Sequence, residues 1–285
     1  MAGHAVTWLD VFTATPLTGN GLAVVHAADD VDDATMQAIA RETRLSETTF
    51  VQTADADGAD YRNRIFTVTS ELPFAGHPSL GTAVAVARAR GETHASYVQQ
   101  TIAGLQPIDV RLDGALAHAS MLQNPATTGP EPDPGPLLSA TGLREEDGHP
   151  DWRPQVVSTG TPHIMAPVAS ADALSRATPH PELLPQLLEA AGAICVYLVE
   201  GDPRTGELGA RSFFLGDAGI LEDPATGSAV GPLAAYLAER TGVERIRVRQ
   251  GVQMGRPSTL DAALEGNRIR VSGDVVVVAE GRCVA

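Results

Sequence analysis

The sequence predicts a two-domain fold of mixed strands and helices, and the residues alone leave open whether the two domains are similar. Its length of 285 residues suits two domains of ordinary size, and short apolar strands alternate with occasional helices along the chain. A short motif also recurs about half the chain apart, since Pro73–Gly76 and Pro224–Gly227 each form a Pro-x-x-Gly turn that leads into a run of small residues. A match this short also arises by chance, so on the residues alone a duplication and a coincidence are equally open.

The first half of the chain contains alternating strand and helix patterns. Apolar runs predict strands at Trp8–Thr13 and Leu22–His26, joined by a turn at Pro16–Gly21. Apolar residues recur at helical spacing after an acidic start, which predicts a helix over Asp32–Arg44. Tyr61–Thr69 alternates polar and apolar residues and is predicted to be another strand.

The segments that follow the two motif turns are predicted to be central helices. Ser79–Arg90 and the helical part of Pro224–Arg240 consist largely of Gly, Ala and Val. A helix with so little polar surface must be buried on all sides. We therefore expect each domain to wrap around its own central helix.

The middle of the chain, Asn124–Arg153, is rich in Pro, Gly and Asp and is predicted to be a linker between the domains. Short strands and helices return beyond it. The predicted elements are a helix at Pro181–Ala191 and strands at Ile194–Val199, Arg245–Arg249, Arg268–Val271 and Asp274–Val278.

The charge balance excludes several classes of partner. The chain carries 20 Lys and Arg against 35 Asp and Glu, a formal net charge of −15. Such a surface repels phosphate backbones and anionic lipid, so neither nucleic acid nor a membrane surface is an expected partner. A small organic substrate remains possible, because a local anion site can exist in an acidic protein.

Cysteine and histidine usage gives no indication of a metal site. Cys195 and Cys283 belong to no CxxC or Cys/His cluster, and the eight histidines show no HExxH or HxH spacing. Cys195 lies among apolar neighbours in a predicted strand, which favours a core position over a nucleophile. The chain shows no signal peptide and no apolar run as long as a membrane span, so we expect a cytoplasmic protein.

Both motif turns are candidate ligand sites because they begin helices. A helix N-terminus carries unpaired N–H groups and the positive end of the dipole, which together attract an anion. Gly76 and Gly227 allow a ligand to approach the backbone, and His77 and Ser228 add hydrogen-bond donors. A small carboxylate would fit such a site. The alternative, that both turns only cap buried helices, is equally open.

Two acidic residues are further candidates. Glu47 stands where a predicted helix meets a strand, and a carboxyl group near an apolar cleft can carry a proton between two carbon atoms. An ordinary exposed glutamate is the alternative interpretation. Asp223, directly before Pro224, could cap the second central helix or orient a substrate group.

Several segments, in this order along the chain, resemble the PhzF family of phenazine-biosynthesis-type isomerases. Together they span nearly the whole sequence and are far more specific than any one of them. The segments are Asp10–Thr13 with Leu17–Asn20, Leu45–Phe50, Glu71–Pro78, Glu222–Ala229 and Gln250–Ser258.

The resemblance implies a fold like that of diaminopimelate epimerase. Such a fold has two similar α+β domains, each a barrel-like sheet around a central helix, with the active site between them. It implies a first domain over residues 1–122, completed by a C-terminal strand near residues 274–285, and a second domain over residues 123–273.

The resemblance also assigns roles to the candidate residues. It implies that Glu47, His77 and Asp223 are catalytic, with Glu47 as the acid/base. It implies that the substrate is bound by Gly76, Gly227 and Ser228. No cofactor or metal is expected, and family members commonly form homodimers.

The function expected from this resemblance is a cofactor-independent isomerase of secondary metabolism, such as antibiotic biosynthesis. Its substrate would be a small unsaturated carboxylate, dihydro-aromatic or similar to a cyclic amino acid. One alternative is a racemase or epimerase, which in the parent fold uses two cysteines, although neither Cys195 nor Cys283 lies in the motifs. The other is a non-catalytic binding protein, against which the retention of Glu47 with His77 and Asp223 argues.

Overall fold

The computed structural model describes residues 3–216 and 219–283, and the chain divides into two compact units. Unit 1 comprises Met1–Leu122 and Ser272–Ala285, and unit 2 comprises Gln123–Val271. Val284 and Ala285, at the end of the predicted closing strand, lie outside the described residues. Each unit is a mixture of many strands and few helices, which confirms the predicted α+β class.

Unit 1 is a sheet wrapped around one long helix. Its elements are β1 (His4–Val11), β2 (Asn20–Val25), α1 (Asp33–Thr43), β3 (Glu47–Gln52), β4 (Tyr61–Phe66), β5 (Glu71–Leu72), α2 (Gly76–Arg90), β6 (His94–Thr101), β7 (Gly104–Asp113), β8 (Leu116–Gln123) and the later part of the final strand. The first strand pairs with the last one in antiparallel register, and β2 pairs in parallel with β3. The helix over Asp32–Arg44 is therefore confirmed as α1, with Asp32 as its N-cap.

The central helix α2 is buried on every side along most of its length, as its composition predicts. Every residue from Gly76 to Ala87 is buried, and the helix packs against β1, β2, β3, β4, β6 and β7. The close packing depends on Gly81, because a Cβ atom there would lie 2.5 Å from Leu22 Cδ2 and 2.9 Å from Val11 Cγ2. Small residues thus allow the sheet to close around the helix.

Unit 2 repeats the strand order of unit 1 around a second central helix, with further short elements at its start and two helices in the place of α1. Its elements are β9 (Thr127–Thr128), α3 (Pro134–Ala140), β10 (Gln155–Ser158), β11 (Pro162–Pro167), α4 (Ala171–Arg176), α5 (Leu183–Ala191), β12 (Cys195–Glu200), β13 (Glu207–Gly216), β14 (Gly219–Asp223), α6 (Gly227–Thr241), β15 (Arg245–Gln250), β16 (Ser258–Glu265) and the first part of β17 (Arg268–Cys283). As in unit 1, two strands before the central helix run parallel, here β11 and β12. The helix α6 packs against β10, β11, β15 and β16.

The repetition extends to an ion pair in front of each central helix. In each unit an arginine on one strand binds both carboxylate oxygens of a glutamate on the next strand, and its guanidinium stacks over a phenylalanine two residues along. The arginine–glutamate distances are 2.6 and 2.7 Å in unit 1 and 2.8 Å in unit 2. The residues are Arg64, Glu71 and Phe66 in unit 1, and Arg211, Glu222 and Phe213 in unit 2. Each glutamate stands five residues before the glycine that begins the helix. The structure thus favours duplication over coincidence for the recurring motif.

The predicted linker over Asn124–Arg153 is wrong. Residues 134–140 form the helix α3, which begins at Pro134 behind the N-cap Asp133. Leu137 and Leu138, only 1% and 3% exposed, belong to the hydrophobic core of unit 2. The composition is misleading because proline in the first turn starts a helix rather than breaking one.

The C-terminal strands also differ from the prediction. Instead of separate strands at Arg268–Val271 and Asp274–Val278, the chain forms the single strand β17. The glycine between them stays extended, so the strand continues through it.

A core substitution tests whether the former linker belongs to unit 2. Leu137→Ala removes a buried side chain and should lower the free energy of unfolding by about 2–5 kcal/mol, measured by urea denaturation. The control is Leu183→Ala on α5, where the side chain is 40% exposed and a change within about 0.5 kcal/mol is expected. Equal, small effects of both substitutions would contradict the placement of α3 in the core.

Candidate active site

Glu47 is the first residue of β3, directly after α1. The helix ends at Thr43, and its C-cap Arg44 has a left-handed backbone conformation (φ 53°) that turns the chain towards the strand. Glu47 lies opposite Leu22 in the parallel pair of β2 and β3. The strand is tied to the central helix by the buried hydroxyls of Thr49 and Thr82, 2.8 Å apart. These contacts fix the point from which the Glu47 side chain projects.

His77, the second residue of α2, contacts Glu47 directly. Its Nε2 atom lies 3.4 Å from Glu47 Oε2, and that oxygen is fully buried. The side chains of His77 and Glu47 are only 6% and 16% exposed. On the other side of the ring, Nδ1 lies 3.2 Å from Nδ2 of Asn20. The structure therefore brings together two residues that are far apart in the sequence.

The imidazole of His77 is neutral near neutral pH. Burial lowers the pKa of His77 to about 3, although a hydrogen bond with the Gly21 backbone raises it in part. The contact with Glu47 is therefore not an ion pair. A neutral imidazole has one N–H donor and one acceptor nitrogen, so Nε2 can face either a carboxylate or a carboxylic acid. This arrangement suits a glutamate that alternately accepts and donates a proton.

Asp223 is the last residue of β14, in the segment that leads to the second central helix. Its Oδ2 atom accepts a hydrogen bond of 2.6 Å from the hydroxyl of Thr226. Thr226 is the N-cap residue of α6, so the interpretation of Asp223 as the N-cap is wrong. The Asp223 carboxylate is instead held by Thr226, the cap residue three positions further along the chain.

The two glycines of the motif turns begin the two central helices. Gly76 is the first residue of α2, and Gly227 and Ser228 are the first two of α6. The first turns of these two helices contain no acidic side chain. An anion at either helix start therefore meets N–H donors and the positive end of the dipole without a competing carboxylate from that turn.

Cys195 occupies a core position, as predicted. It is 2% exposed on β12, with His163 Nδ1 2.9 Å from its sulfur and the Ser212 hydroxyl donating at 3.6 Å. Burial raises the pKa of the Cys195 thiol to about 12. It is therefore not a thiolate near neutral pH. Cys283 is half-buried at the end of β17.

The described residues form neither a metal site nor a membrane-spanning helix. Within residues 3–216 and 219–283, no group of three or more His, Cys, Asp or Glu side chains could hold a metal ion. None of the helices in these ranges is both long and apolar enough to cross a membrane.

Two side chains in contact with the candidate residues have no role in the sequence prediction. Asn20 is 1% exposed and lies against His77, and Thr226 binds Asp223. The sequence signal for Asn20 is the glycine before it. Gly19 has φ +65°, and a Cβ atom added there would lie 2.5 Å from the Val11 carbonyl oxygen. For Thr226 the only signal is its place in the Pro-x-Thr-Gly turn, which predicts a cap but no partner.

Comparison with known proteins gives a consistent set of similarities. The family model described as phenazine biosynthesis-like protein (PhzC-PhzF) matches residues 9–281. The trans-2,3-dihydro-3-hydroxyanthranilate isomerase of Pseudomonas aeruginosa is 36% identical over 289 residues, which cover 98% of this chain and 99% of the relative.

Solved structures confirm the expected epimerase-like fold. A protein described as a predicted epimerase from Pseudomonas aeruginosa is 37% identical, has a TM-score of 0.87 and is matched over 99% of both chains. A hydroxyproline epimerase from Agrobacterium vitis has a TM-score of 0.64 at 13% identity, with 99% of this chain and 91% of that one covered. This second likeness is one of fold alone.

The buried, neutral state of His77 predicts how stability depends on pH. The unfolded chain binds a proton at His77 below its ordinary pKa of 6.5, whereas the folded protein does not until about pH 3. The free energy of unfolding should therefore fall as the pH drops below about 6.5, with this residue contributing up to about 1.4 kcal/mol per pH unit. Urea denaturation between about pH 7.5 and pH 5.5 measures the slope.

The variant His77→Asn is the matched comparison. It lacks the titrating ring, so its stability should fall less on acidification than that of the wild type. Identical slopes for the two proteins, or an NMR titration of the His77 ring with a midpoint near its ordinary pKa, would contradict the neutral state.

Proposed function

Because this chain belongs to the PhzC-PhzF family of phenazine biosynthesis-like proteins and is an isomerase, we propose that it moves a proton between two carbon atoms of a small unsaturated carboxylate. Glu47 is the acid/base, and no cofactor takes part. The relative from Pseudomonas aeruginosa is named for trans-2,3-dihydro-3-hydroxyanthranilate. A dihydro-aromatic amino carboxylate of that class is the proposed substrate.

The contact between Glu47 and His77 is the observation that carries this proposal. As a carboxylate, Glu47 removes a proton from an sp³ carbon next to a conjugated system. The electron pair shifts along that system, and the protonated Glu47 returns the proton to another carbon, so the reaction needs no oxidant or reductant. A neutral His77 at 3.4 Å accommodates both states of the carboxyl group.

The other candidate residues supply binding in this proposal. Asp223 accepts a hydrogen bond from the amino or hydroxyl group of the substrate. The helix starts at Gly76, Gly227 and Ser228 bind its carboxylate, because N–H groups and the dipole at a helix start favour an anion. The assignment of these residues remains a proposal, as do the homodimer and the cytoplasmic location predicted from the sequence.

The likeness of fold to a hydroxyproline epimerase favours a racemase or epimerase as the second candidate. That reaction needs an acid and a base on opposite faces of one carbon. The thiols are poorly suited to it, because Cys195 is buried with a pKa raised to about 12 and Cys283 stands at the end of β17. A proton shift carried by one glutamate accounts better for the side chains present.

Replacing the acid/base gives the most direct test. Glu47→Gln keeps the size of the side chain but cannot accept a proton, so turnover of trans-2,3-dihydro-3-hydroxyanthranilate should fall by about 10²–10⁴-fold. The fold and substrate binding should persist. In D₂O the wild type should place deuterium on the product carbon, and the variant should place none, as measured by NMR.

The matched control is Glu42→Gln, at an exposed position on α1. Its turnover should equal that of the wild type. Near-normal turnover of Glu47→Gln would end the proposed mechanism, and Asp223 would then be the first residue to test.

Thiol modification separates the proposed isomerase from a two-thiol racemase. Iodoacetamide should label the half-buried Cys283 of the native enzyme, whereas Cys195 should react only after unfolding, as mass spectrometry can show. Activity should survive the labelling, because no thiol takes part. Stoichiometric inactivation that substrate prevents would favour the racemase.

A further inference from the structure

The side-chain amide of Gln250, the last residue of β15, makes hydrogen bonds with three residues. It is 0% exposed. Its Oε1 atom accepts hydrogen bonds from the Thr226 backbone N–H (3.1 Å) and the Tyr197 hydroxyl (2.8 Å). Its Nε2 atom donates to the Asp223 carbonyl oxygen (2.7 Å) and to the Thr226 hydroxyl (3.0 Å). A glutamine amide has two donors and two acceptor positions, so all four are used, three of them on the segment before α6.

The residue after Gln250 supports the same segment by close approach. Gly251 has φ +74°, and a Cβ atom there would lie 2.7 Å from the Pro224 carbonyl oxygen and 2.4 Å from that of Arg256. The backbone of the segment from Asp223 to Thr226 therefore rests directly on Gly251. Only glycine leaves room for this contact without a shift of the backbone.

Unit 1 contains an equivalent glutamine, which shows that the arrangement is a repeated part of the fold. Gln99 follows Gly76 by the same number of residues as Gln250 follows Gly227, and it is also 0% exposed. Its Nε2 atom donates to the Ser79 hydroxyl at 2.6 Å, within the first turn of α2. In unit 2 the glutamine contacts a candidate site residue directly, because Gln250 donates a hydrogen bond to the Asp223 carbonyl oxygen.

We infer that Gln250 is a positioning residue for the substrate site of unit 2. It holds the Asp223 backbone and the Thr226 hydroxyl, and that hydroxyl in turn binds the Asp223 carboxylate at 2.6 Å. Through these bonds it sets where Asp223 and the start of α6 meet the substrate. The inference rests on the proposed function, because Asp223 and Ser228 bind substrate only in that proposal.

The first variant removes the polar amide and keeps an apolar side chain of similar size. In Gln250→Leu, kcat/KM for trans-2,3-dihydro-3-hydroxyanthranilate should fall by about 10–10²-fold, with a rise in KM as well as a fall in kcat. A loss of folded enzyme alone would lower the apparent kcat and leave KM unchanged. The KM therefore distinguishes positioning from simple destabilisation.

The matched control is the same substitution at Gln155 on β10, which contacts the other end of α6. Gln155 accepts a hydrogen bond of 2.9 Å from Arg240, in the last turn of α6. Gln155→Leu should leave kcat and KM within about twofold of the wild type. An equal rise of KM in both variants would overturn the assignment of a specific role to Gln250.

The conservative variant Gln250→Glu should regain activity as the pH falls. In Gln250→Glu, a protonated carboxyl group still accepts one hydrogen bond and donates another, whereas the ionised form cannot donate to the Asp223 carbonyl oxygen. The activity of this variant, divided by that of the wild type at the same pH, should therefore rise as the pH falls. For Gln250→Leu the corresponding ratio should stay flat. A flat ratio for Gln250→Glu as well would count against the hydrogen-bonding role.

Hydrogen exchange measured without substrate separates this inference from the proposed function. Backbone amides of residue 223 and residues 225–228 should exchange faster in Gln250→Leu than in the wild type, and at the wild-type rate in Gln155→Leu. If the wild type is inert towards the substrate but exchange accelerates, the proposed function fails and the positioning of the segment stands. If the wild type is active while Gln250→Leu keeps its KM and its exchange rates, this inference is overturned. Should Gln250→Leu not fold, Gln250→Glu and Gly251→Ala provide the same exchange measurement.

Discussion

The burial of two central helices along most of their length is the constraint on which the rest of the structure depends. A helix enclosed by a sheet can use only small or apolar residues along its length, and Gly81 shows how little space remains. The few polar groups inside must pair with each other, as Thr49 and Thr82 do. Polar chemistry is thus concentrated where the helix begins, next to the turns that contain Gly76 and Gly227.

The two units share the residues that fix the backbone around the central helix, but they differ in a side chain at an equivalent position. In both, an arginine–glutamate pair precedes the central helix and a buried glutamine follows it. Glu47 begins β3 in unit 1, whereas Cys195 begins the corresponding strand β12 in unit 2 and is buried against His163. The repeated residues are those that fix the backbone. The side chain at the start of this strand differs between the copies, a carboxyl group in unit 1 and a buried thiol in unit 2.

Much of the fold could be predicted from local patterns, because caps and periodicity act over a few residues. The helix α1 follows from its acidic N-cap and helical spacing, and the burial of α2 follows from its lack of polar surface. The helix α3 could not be predicted from composition, because the burial of Leu137 depends on strands far away in the sequence. The same applies to the site. Glu47 was a candidate from its position, but its contact with His77 depends on how β3 packs on α2.

The pairing of β1 with β17 has a consequence for how the protein is made. His4 lies opposite Cys283, and Val11 lies opposite Val275. The first strand therefore cannot pair with the last one until nearly all of the described chain has been synthesised. Unit 2 is formed by one continuous stretch and can fold earlier in translation. During this interval β1 presents an unpaired edge that contains Leu9 and Val11, which are apolar and fully buried in the finished protein. Premature termination shortly after Val271 would therefore release a chain in which unit 2 is able to fold and the unit that contains Glu47 is left open.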